Sequence, residues 1–285
     1  MRKNLFSKII IICLVCLTVL STCGFASFDA AAAAETAEAV PMYLNGIKVS
    51  DGTKFGETTY VSLKSFTEVI GGQTNIAWDE ATGTITVTGE GLALSATNGK
   101  GYFTANGRYF YVPGGIFLLD NNLMVPVREL AKVFGAEIVW DEESSSVSIV
   151  MEQLMYPQSG DEFYKAEDLY WLARLINSES GNQPLDGKLA VGNVVLNRVA
   201  DPTCPNTVYG VIFDRKYGVQ FSVTETGAIN AEPNEESVIA AKLCLEGYNI
   251  VGTSIYFVNP DIGVSSWFSK TRVFVASIGD HDFYA

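Results

Sequence analysis

Leu172-Ala-Arg-Leu-Ile-Asn-Ser-Glu179-Ser-Gly-Asn-Gln-Pro184 is an apolar helical stripe that ends on a carboxylate. Counting back from Glu179, Ile176, Leu172 and Leu169 follow at steps of three, four and three, so the four side chains share one helix face. Gly181-Asn182 and Pro184 stop the helix, which puts Glu179 on its last turn, where the negative end of the helix dipole opposes ionisation. Partial burial and the dipole both raise a carboxyl pKa, the condition a general acid needs near neutral pH. A Glu at a helix end also commonly reaches for solvent or a neighbouring base, so spacing alone leaves both roles open.

Further blocks follow in order. Leu189-Ala-Val-Gly-Asn-Val-Val-Leu-Asn-Arg-Val199 is an apolar helix, and Asn206-Thr-Val-Tyr-Gly-Val-Ile212 a shorter one. Gln220-Phe-Ser222, Pro233-Asn234, Tyr256-Phe-Val-Asn-Pro260, Trp267 and Ile278-Gly-Asp-His-Asp-Phe-Tyr284 complete the series. With Glu179 and Pro184, these blocks resemble the catalytic domain of SleB-type spore cortex-lytic enzymes, a family of bacterial cell-wall hydrolases that cleave peptidoglycan glycan strands. The resemblance runs from Glu167 to Tyr284, about 118 of 285 residues. It implies an α+β, lytic-transglycosylase-like domain with Glu179 as the acid. The chain departs from the commoner pattern at Ser180-Gly181-Asn182-Gln183, where an Ala-Arg-Gly-Glu run is frequent. A second acidic group is thereby missing, and any mechanism that needs it loses its partner.

The chain starts with Arg2, Lys3 and Lys8, an apolar run from Ile9 to Leu20, and small residues. That is the pattern of a signal peptide, expected over 1–26, with an apolar run too short to span a bilayer. Leu20-Ser-Thr-Cys23 is similar to a lipoprotein acylation box, but Thr22 stands where Gly, Ala or Ser is the rule, so ordinary cleavage and a secreted, wall- or spore-associated protein are expected. An Ala/Glu-rich linker over 27–41 follows. Cys204 and Cys244 are the cysteines beyond the signal region, enough for one disulfide or for two unpaired residues.

Net charge is −13, and residues 152–285 hold 17 acidic against 9 basic side chains. Such a surface repels nucleic acid and anionic membranes, so neither is an expected partner. A glycan strand would be held through aromatic faces and amide hydrogen bonds.

Residues 42–151 contain an internal repeat, in which Val61-Ser-Leu-Lys-Ser-Phe-Thr-Glu-Val-Ile-Gly71 lies on Val125-Pro-Val-Arg-Glu-Leu-Ala-Lys-Val-Phe-Gly135. Each copy reads as a strand and a two-turn helix closed by Gly. The match continues through Ile76-Ala-Trp78-Asp79-Glu80 and Ile138-Val-Trp140-Asp141-Glu142 into alternating strands. Asn45-Gly46 and Asn106-Gly107 mark tight hairpins. The Val-Pro-Val-Arg-like and Trp-Asp elements resemble the copper amine oxidase-like N-terminal domain. Residues 42–150 nonetheless hold no His and no Cys, so no metal and no cofactor is expected. Trp78 and Trp140 are read as the packing centre of each unit, with sugar stacking as the alternative, and the module as a device that holds or spaces the enzyme at the wall.

Other chemistries narrow by counting. A catalytic zinc takes about three ligands rich in His, and the chain has His281 alone. Neither Cys204, in a Pro-flanked turn, nor Cys244, in an apolar run, has the setting of an activated nucleophile. A Ser-His-Asp arrangement is left open by counting, although the part after residue 151 has no Gly-x-Ser-x-Gly elbow. Glycan cleavage by hydrolysis takes two carboxyl groups about 5 to 9.5 Å apart, for which Asp186, Glu225 and Asp282 are candidates without a spacing argument. A lytic transglycosylase needs one, and the alternative reading, a wall-binding or spore structural protein that has lost activity through the altered segment 180–183, needs none.

The overall expectation is an α+β protein: the duplicated, mainly β module over 42–151, a linker over 152–165, and a catalytic domain over 166–285. In the last, a helical part runs from Glu167 to Phe213, a loop to Ala231, a helix opens at Asn234, and two strands span Ser254–Val258 and Arg272–Ile278. Asn193 and Asn197 are expected to hydrogen-bond internally. Gln220, Phe221, Tyr256, Asn259 and Trp267 read as substrate-binding cleft lining and equally well as core and turn residues.

Overall fold

The computed structural model describes residues 37–262 and 270–285. The expected signal peptide and Trp267 lie outside the described residues. Among the described residues no helix is long and apolar enough to cross a membrane.

The fold is α+β. Its first part alternates strands and two short helices: β1 (Glu38–Leu44), β2 (Ile47–Phe55), β3 (Thr58–Ser62), α1 (Leu63–Ile70), β4 (Thr74–Asp79), β5 (Thr84–Gly89), β6 (Leu92–Thr97), β7 (Tyr102–Ala105) and β8 (Arg108–Tyr111). β9 (Phe117–Leu119), β10 (Asn122–Pro126), α2 (Val127–Val133), β11 (Glu137–Asp141) and β12 (Ser146–Val150) follow. Asn45-Gly46 joins β1 to β2 and Asn106-Gly107 joins β7 to β8, all four residues at positive φ, as the tight primed hairpin turns require. β4 to β8 form a five-stranded antiparallel meander, while the other strands form a seven-stranded sheet ordered β11-β12-β1-β2-β3-β10-β9. In the latter β1 pairs with β12 in parallel, so the start and end of this part are hydrogen-bonded to each other.

Alternating side chains of both sheets meet α1 and α2 in one core, with Leu63, Phe66, Leu94, Phe103, Leu130 and Phe134 almost fully buried. Phe103 and Phe110 stack at 5.1 Å. After α1 the chain reverses at Gly72 (φ +65°) and after α2 at Gly135 (φ +67°), so in the first case the left-handed residue comes one position after Gly71. The tryptophans do not take the matching central places expected of them. Both lie on edge strands, β4 of the meander and β11 of the seven-stranded sheet, yet Trp78 is 46% exposed whereas Trp140 packs partly against the core beneath Lys54.

The second part is mainly helical: α3 (Gly160–Phe163), α4 (Ala166–Ser180), α5 (Leu185–Ala200), α6 (Val208–Ile212), α7 (Val223–Thr226) and α8 (Glu235–Leu245). A small sheet ordered β13-β15-β14 follows, from β13 (Tyr256–Val258), β14 (Phe274–Ile278) and β15 (His281–Tyr284). α5 is the central helix, with Gly187 through Val195 buried without interruption, as a helix apolar all round must be. α4 and α8 pack on it through Leu172, Ile176, Leu189, Ile239 and Leu243, and its other face meets the small sheet at Val191, Val194, Ile278 and Phe283.

α8 opens at Asn234, whose side chain accepts the Ser237 N–H at 2.8 Å. Asn193 and Asn197 are satisfied internally: Asn193 donates to the Tyr248 carbonyl at 2.7 Å, and Asn197 to the carbonyls of Gly252 and Ser254, both at 2.8 Å. The expected loop before Ala231 contains α7 and a 3-10 turn over Ala228–Asn230. Cys204 and Cys244 are unpaired, Cys244 buried against the Leu189 carbonyl.

Residues 152–165, expected as a linker, are bound along the first part. Tyr156 donates to the Gly71 carbonyl at 2.7 Å, Asn106 donates to the Pro157 carbonyl at 2.8 Å, and the Tyr164 hydroxyl accepts the Tyr109 N–H at 3.1 Å. Apolar and aromatic residues tie the strap down where composition alone suggested a spacer.

Candidate active site

Glu179 occupies the last turn of α4, one turn after Ile176, which is fully buried beside Gly192 of α5. Its side chain is half-buried, and burial pushes its carboxyl above the usual carboxylate range. It makes no hydrogen bond or ion pair among the described residues. Both flanks are pinned. Ser178 donates to the carbonyls of Arg174 (2.8 Å) and Ala228 (3.1 Å), and buried Ser180 donates to the Ile176 carbonyl at 2.9 Å. The Asn177 side-chain oxygen accepts the Asn234 N–H at 3.0 Å, and Asn234 donates in turn to the Gly181 carbonyl at 3.1 Å. The end of α4 and the start of α8 therefore hold each other, which fixes the turn bearing Glu179.

The departure at 180–183 is built into the fold. Gln183 donates to the Asp280 carboxylate at 2.6 Å and accepts the Asp280 N–H at 3.0 Å, joining the start of α5 to the β14–β15 turn. Lys188 donates to the Gln183 carbonyl and pairs with Glu236 at 2.5 Å. A Glu at position 183 would face Asp280 with like charge, whereas the amide supplies a donor and an acceptor at once.

Gln220 and Tyr256 come together in a cleft of about 490 Å³, together with Arg198, Asp214, Lys216 and Tyr217. Phe221 is 3% exposed and lies in the core, its ring 6.3 Å from Phe257. Asn259 accepts the Asp261 N–H at 2.9 Å and caps the 3-10 turn after β13. Glu179 does not line this cleft. The acids weighed for a second role are engaged elsewhere or open to solvent: Asp186 accepts the Tyr111 hydroxyl at 2.8 Å, Asp282 accepts the Ser277 hydroxyl at 2.5 Å, and Glu225 is exposed. His281 is buried edge-on to Phe257 with Nδ1 unpartnered among the described residues, and burial lowers its pKa.

Two features escaped the sequence reading. Arg198 stands over the rings of Phe221 and Tyr256, and the sole signal for it is a charged residue closing an apolar helix. The other is the seam between the two parts. There Tyr111 enters the helical core, Arg108 pairs with Glu246, Tyr248 donates to Glu129, and a cleft of about 940 Å³ runs between residues such as Lys100 and Tyr102 on one side and Pro184 and Glu235 on the other.

Copper does not fit the first part. It offers no imidazole and no thiolate, and among the described residues no group of three His, Cys, Asp or Glu side chains is placed to hold a metal.

Residues 182–284 match the cell wall hydrolase family, and residues 44–149 match the copper amine oxidase N-terminal domain. A spore cortex-lytic enzyme of Bacillus cereus is 36% identical over 120 residues, which are 42% of this chain and 45% of that protein. The spore cortex-lytic enzyme of Bacillus subtilis is 32% identical over 120 residues, 42% of this chain and 38% of its own. The chain thus spans less than half the length of these curated relatives. A solved catalytic domain of the germination-specific lytic transglycosylase SleB from Bacillus anthracis is 35% identical, with 43% of this chain and 97% of that one covered, at a TM-score of 0.39.

Proposed function

We propose that this chain, in which a copper amine oxidase N-terminal domain precedes a cell wall hydrolase domain, is an exported enzyme that cuts peptidoglycan glycan strands by lytic transglycosylation, with Glu179 as the catalytic acid and base. The observation that carries the reading is the half-buried carboxyl of Glu179, held above the usual carboxylate range on a helix end braced by Asn177 and Asn234. Burial that favours the protonated form suits such a carboxyl to giving a proton to the glycosidic oxygen. Once ionised, the same group takes the proton of the muramic acid C6 hydroxyl. The freed oxygen closes on C1, the bond to the leaving sugar breaks, and a 1,6-anhydro ring forms without consuming water. One carboxyl suffices, in keeping with the engagements of Asp186 and Asp282.

The similarity to proteins named spore cortex-lytic enzymes supports peptidoglycan as the substrate class. The domains run over 42–151 and 166–285, the first as two copies of one unit, β3-α1-β4-β5 and β10-α2-β11-β12. The seam favours a module that braces the catalytic part over one that merely tethers it.

The experiment is replacement of Glu179 with Gln, which keeps shape and removes the proton. The variant is expected to fold, to bind sacculi, and to clear peptidoglycan turbidity about a hundredfold more slowly, the low end of acid-base contributions. Turnover at the wild-type rate would reject the role.

A further inference from the structure

Arg198 closes the last turn of α5 with its guanidinium carbon 5.2 Å from the Phe221 ring and 5.7 Å from the Tyr256 ring. Nε donates to the Ile255 carbonyl at 2.7 Å. Nη1 is buried and meets no acceptor, and no carboxylate stands within 4.0 Å of the group, among the described residues. Arg108 and Arg174, by contrast, each hold a carboxylate at 2.6 Å. A desolvated guanidinium N–H without an acceptor is unfavourable, and a site that keeps one is prepared for an acceptor from outside.

Arg198 lines the cleft of about 490 Å³ that it shares with Gln220 and Tyr256. Exposed Lys216 adds a second positive charge to the wall, and the acid lining it, Asp214, accepts the Lys216 N–H at 2.9 Å within its own loop. In a chain of net charge −13, two cations against one acid are a local reversal that draws an anion. The planar guanidinium fork matches a carboxylate, and the nearby Asp214 disfavours a dianion such as phosphate.

We propose that Arg198 and Lys216 form a carboxylate subsite that holds a peptide-stem carboxylate of the peptidoglycan strand. The proposal rests on the peptidoglycan reading of the Glu179 site. Arg198 lies about 20 Å along α5 from Leu185, at 1.5 Å per residue, and hence from the chain that leaves Glu179. The subsite therefore selects and positions the strand and takes no part in bond breaking.

The test is cosedimentation of the full chain, in the Glu179→Gln background to prevent digestion, with three substrates: native sacculi, sacculi whose carboxylates are capped as methylamides, and bead-bound glycan strands freed of peptide. Arg198→Gln is expected to weaken binding to native sacculi about tenfold, the scale of one charged hydrogen bond. Lys216→Gln, at an exposed position that does not endanger folding, is expected to weaken it about two- to fivefold. Capping is expected to weaken the parent protein by at least the Arg198 factor and to weaken Arg198→Gln by no more than the Lys216 factor. Parent binding indifferent to capping, or an equal loss by Arg198→Gln on native and capped sacculi, overturns the subsite. Arg198-dependent binding to peptide-free strands at native affinity overturns the assignment to the stem. Failure of the parent to bind native sacculi at all overturns the peptidoglycan reading along with the subsite.

Discussion

Arg108 of β8 and Glu246, the residue after α8, form a bidentate ion pair at 3.0 and 2.6 Å across the seam between the sheets and the helical body. The Glu246 side chain is 3% exposed and also accepts the Tyr164 hydroxyl at 2.6 Å. A carboxylate this deep depends on its partners. Arg108→Ala leaves it with one donor and no countercharge, a loss of about 3 to 5 kcal/mol for a broken buried pair. Urea unfolding measures this, and a loss below about 1 kcal/mol would mean that the seam is open in solution. Deleting residues 42–151 should likewise destabilise the helical part.

The pair spans 138 residues, and no periodicity links positions so far apart, so the seam was not legible in the sequence. Local signals fared better. The stripe of Leu172 and Ile176, the cap at Asn234 and the Asn-Gly hairpins each depend on a few neighbouring residues, and each stands where spacing put it. β15 was invisible since His281-Asp-Phe-Tyr284 is four residues long and gains its place by pairing with β13 and β14. Trp78 and Trp140 occupy equivalent sequence positions and both lie on edge strands, but only Trp140 is covered, by Lys54 and the core beneath it, which sequence alone does not announce. Gln220 and Tyr256 stand in motifs that the sequence displays, whereas the setting of Arg198 beside them depends on rings supplied by two other segments.

Glu179 should reveal itself in stability as well as turnover. Its folded pKa lies above its unfolded value, so the native state loses stability as pH rises from the unfolded value through the folded one, and the penalty is complete above both. Glu179→Gln removes that penalty. The variant should melt higher than the wild type at neutral pH, and the gap should close as pH falls below the ordinary carboxylate range. Calorimetry at several pH values gives the comparison. A gap independent of pH would show that the carboxyl is not desolvated.

Gly192 lies where α4, α5 and α8 meet. A Cβ there would lie 2.5 Å from the Cys244 sulfur and 2.8 Å from Ile176 Cδ1. Overpacking of this kind costs about 1 to 3 kcal/mol, against a helix-propensity gain of about 1 kcal/mol. Gly192→Ala should therefore lower stability and, by displacing Ile176 one turn before Glu179, lower activity too. Adding Cys244→Ala removes one of the two clashes and should recover part of both. A single variant as stable as wild type would refute the packing argument.

The product decides the chemistry at Glu179. Hydrolysis needs a second carboxylate to activate water across the sugar ring. Asp186 is held by Tyr111 and Asp282 by Ser277, and Glu225 is open to solvent. The intramolecular route needs no such group, because the C6 hydroxyl is already tethered to the reacting ring and brings its own effective concentration. Digests should accordingly contain muropeptides ending in 1,6-anhydromuramic acid, one water lighter than hydrolytic products and inert to borohydride. Mass spectrometry before and after borohydride reads this directly. Predominantly reducible muramic acid ends would make the enzyme a hydrolase, and Asp186→Asn, Glu225→Gln and Asp282→Asn would then identify the second acid by which one abolishes turnover.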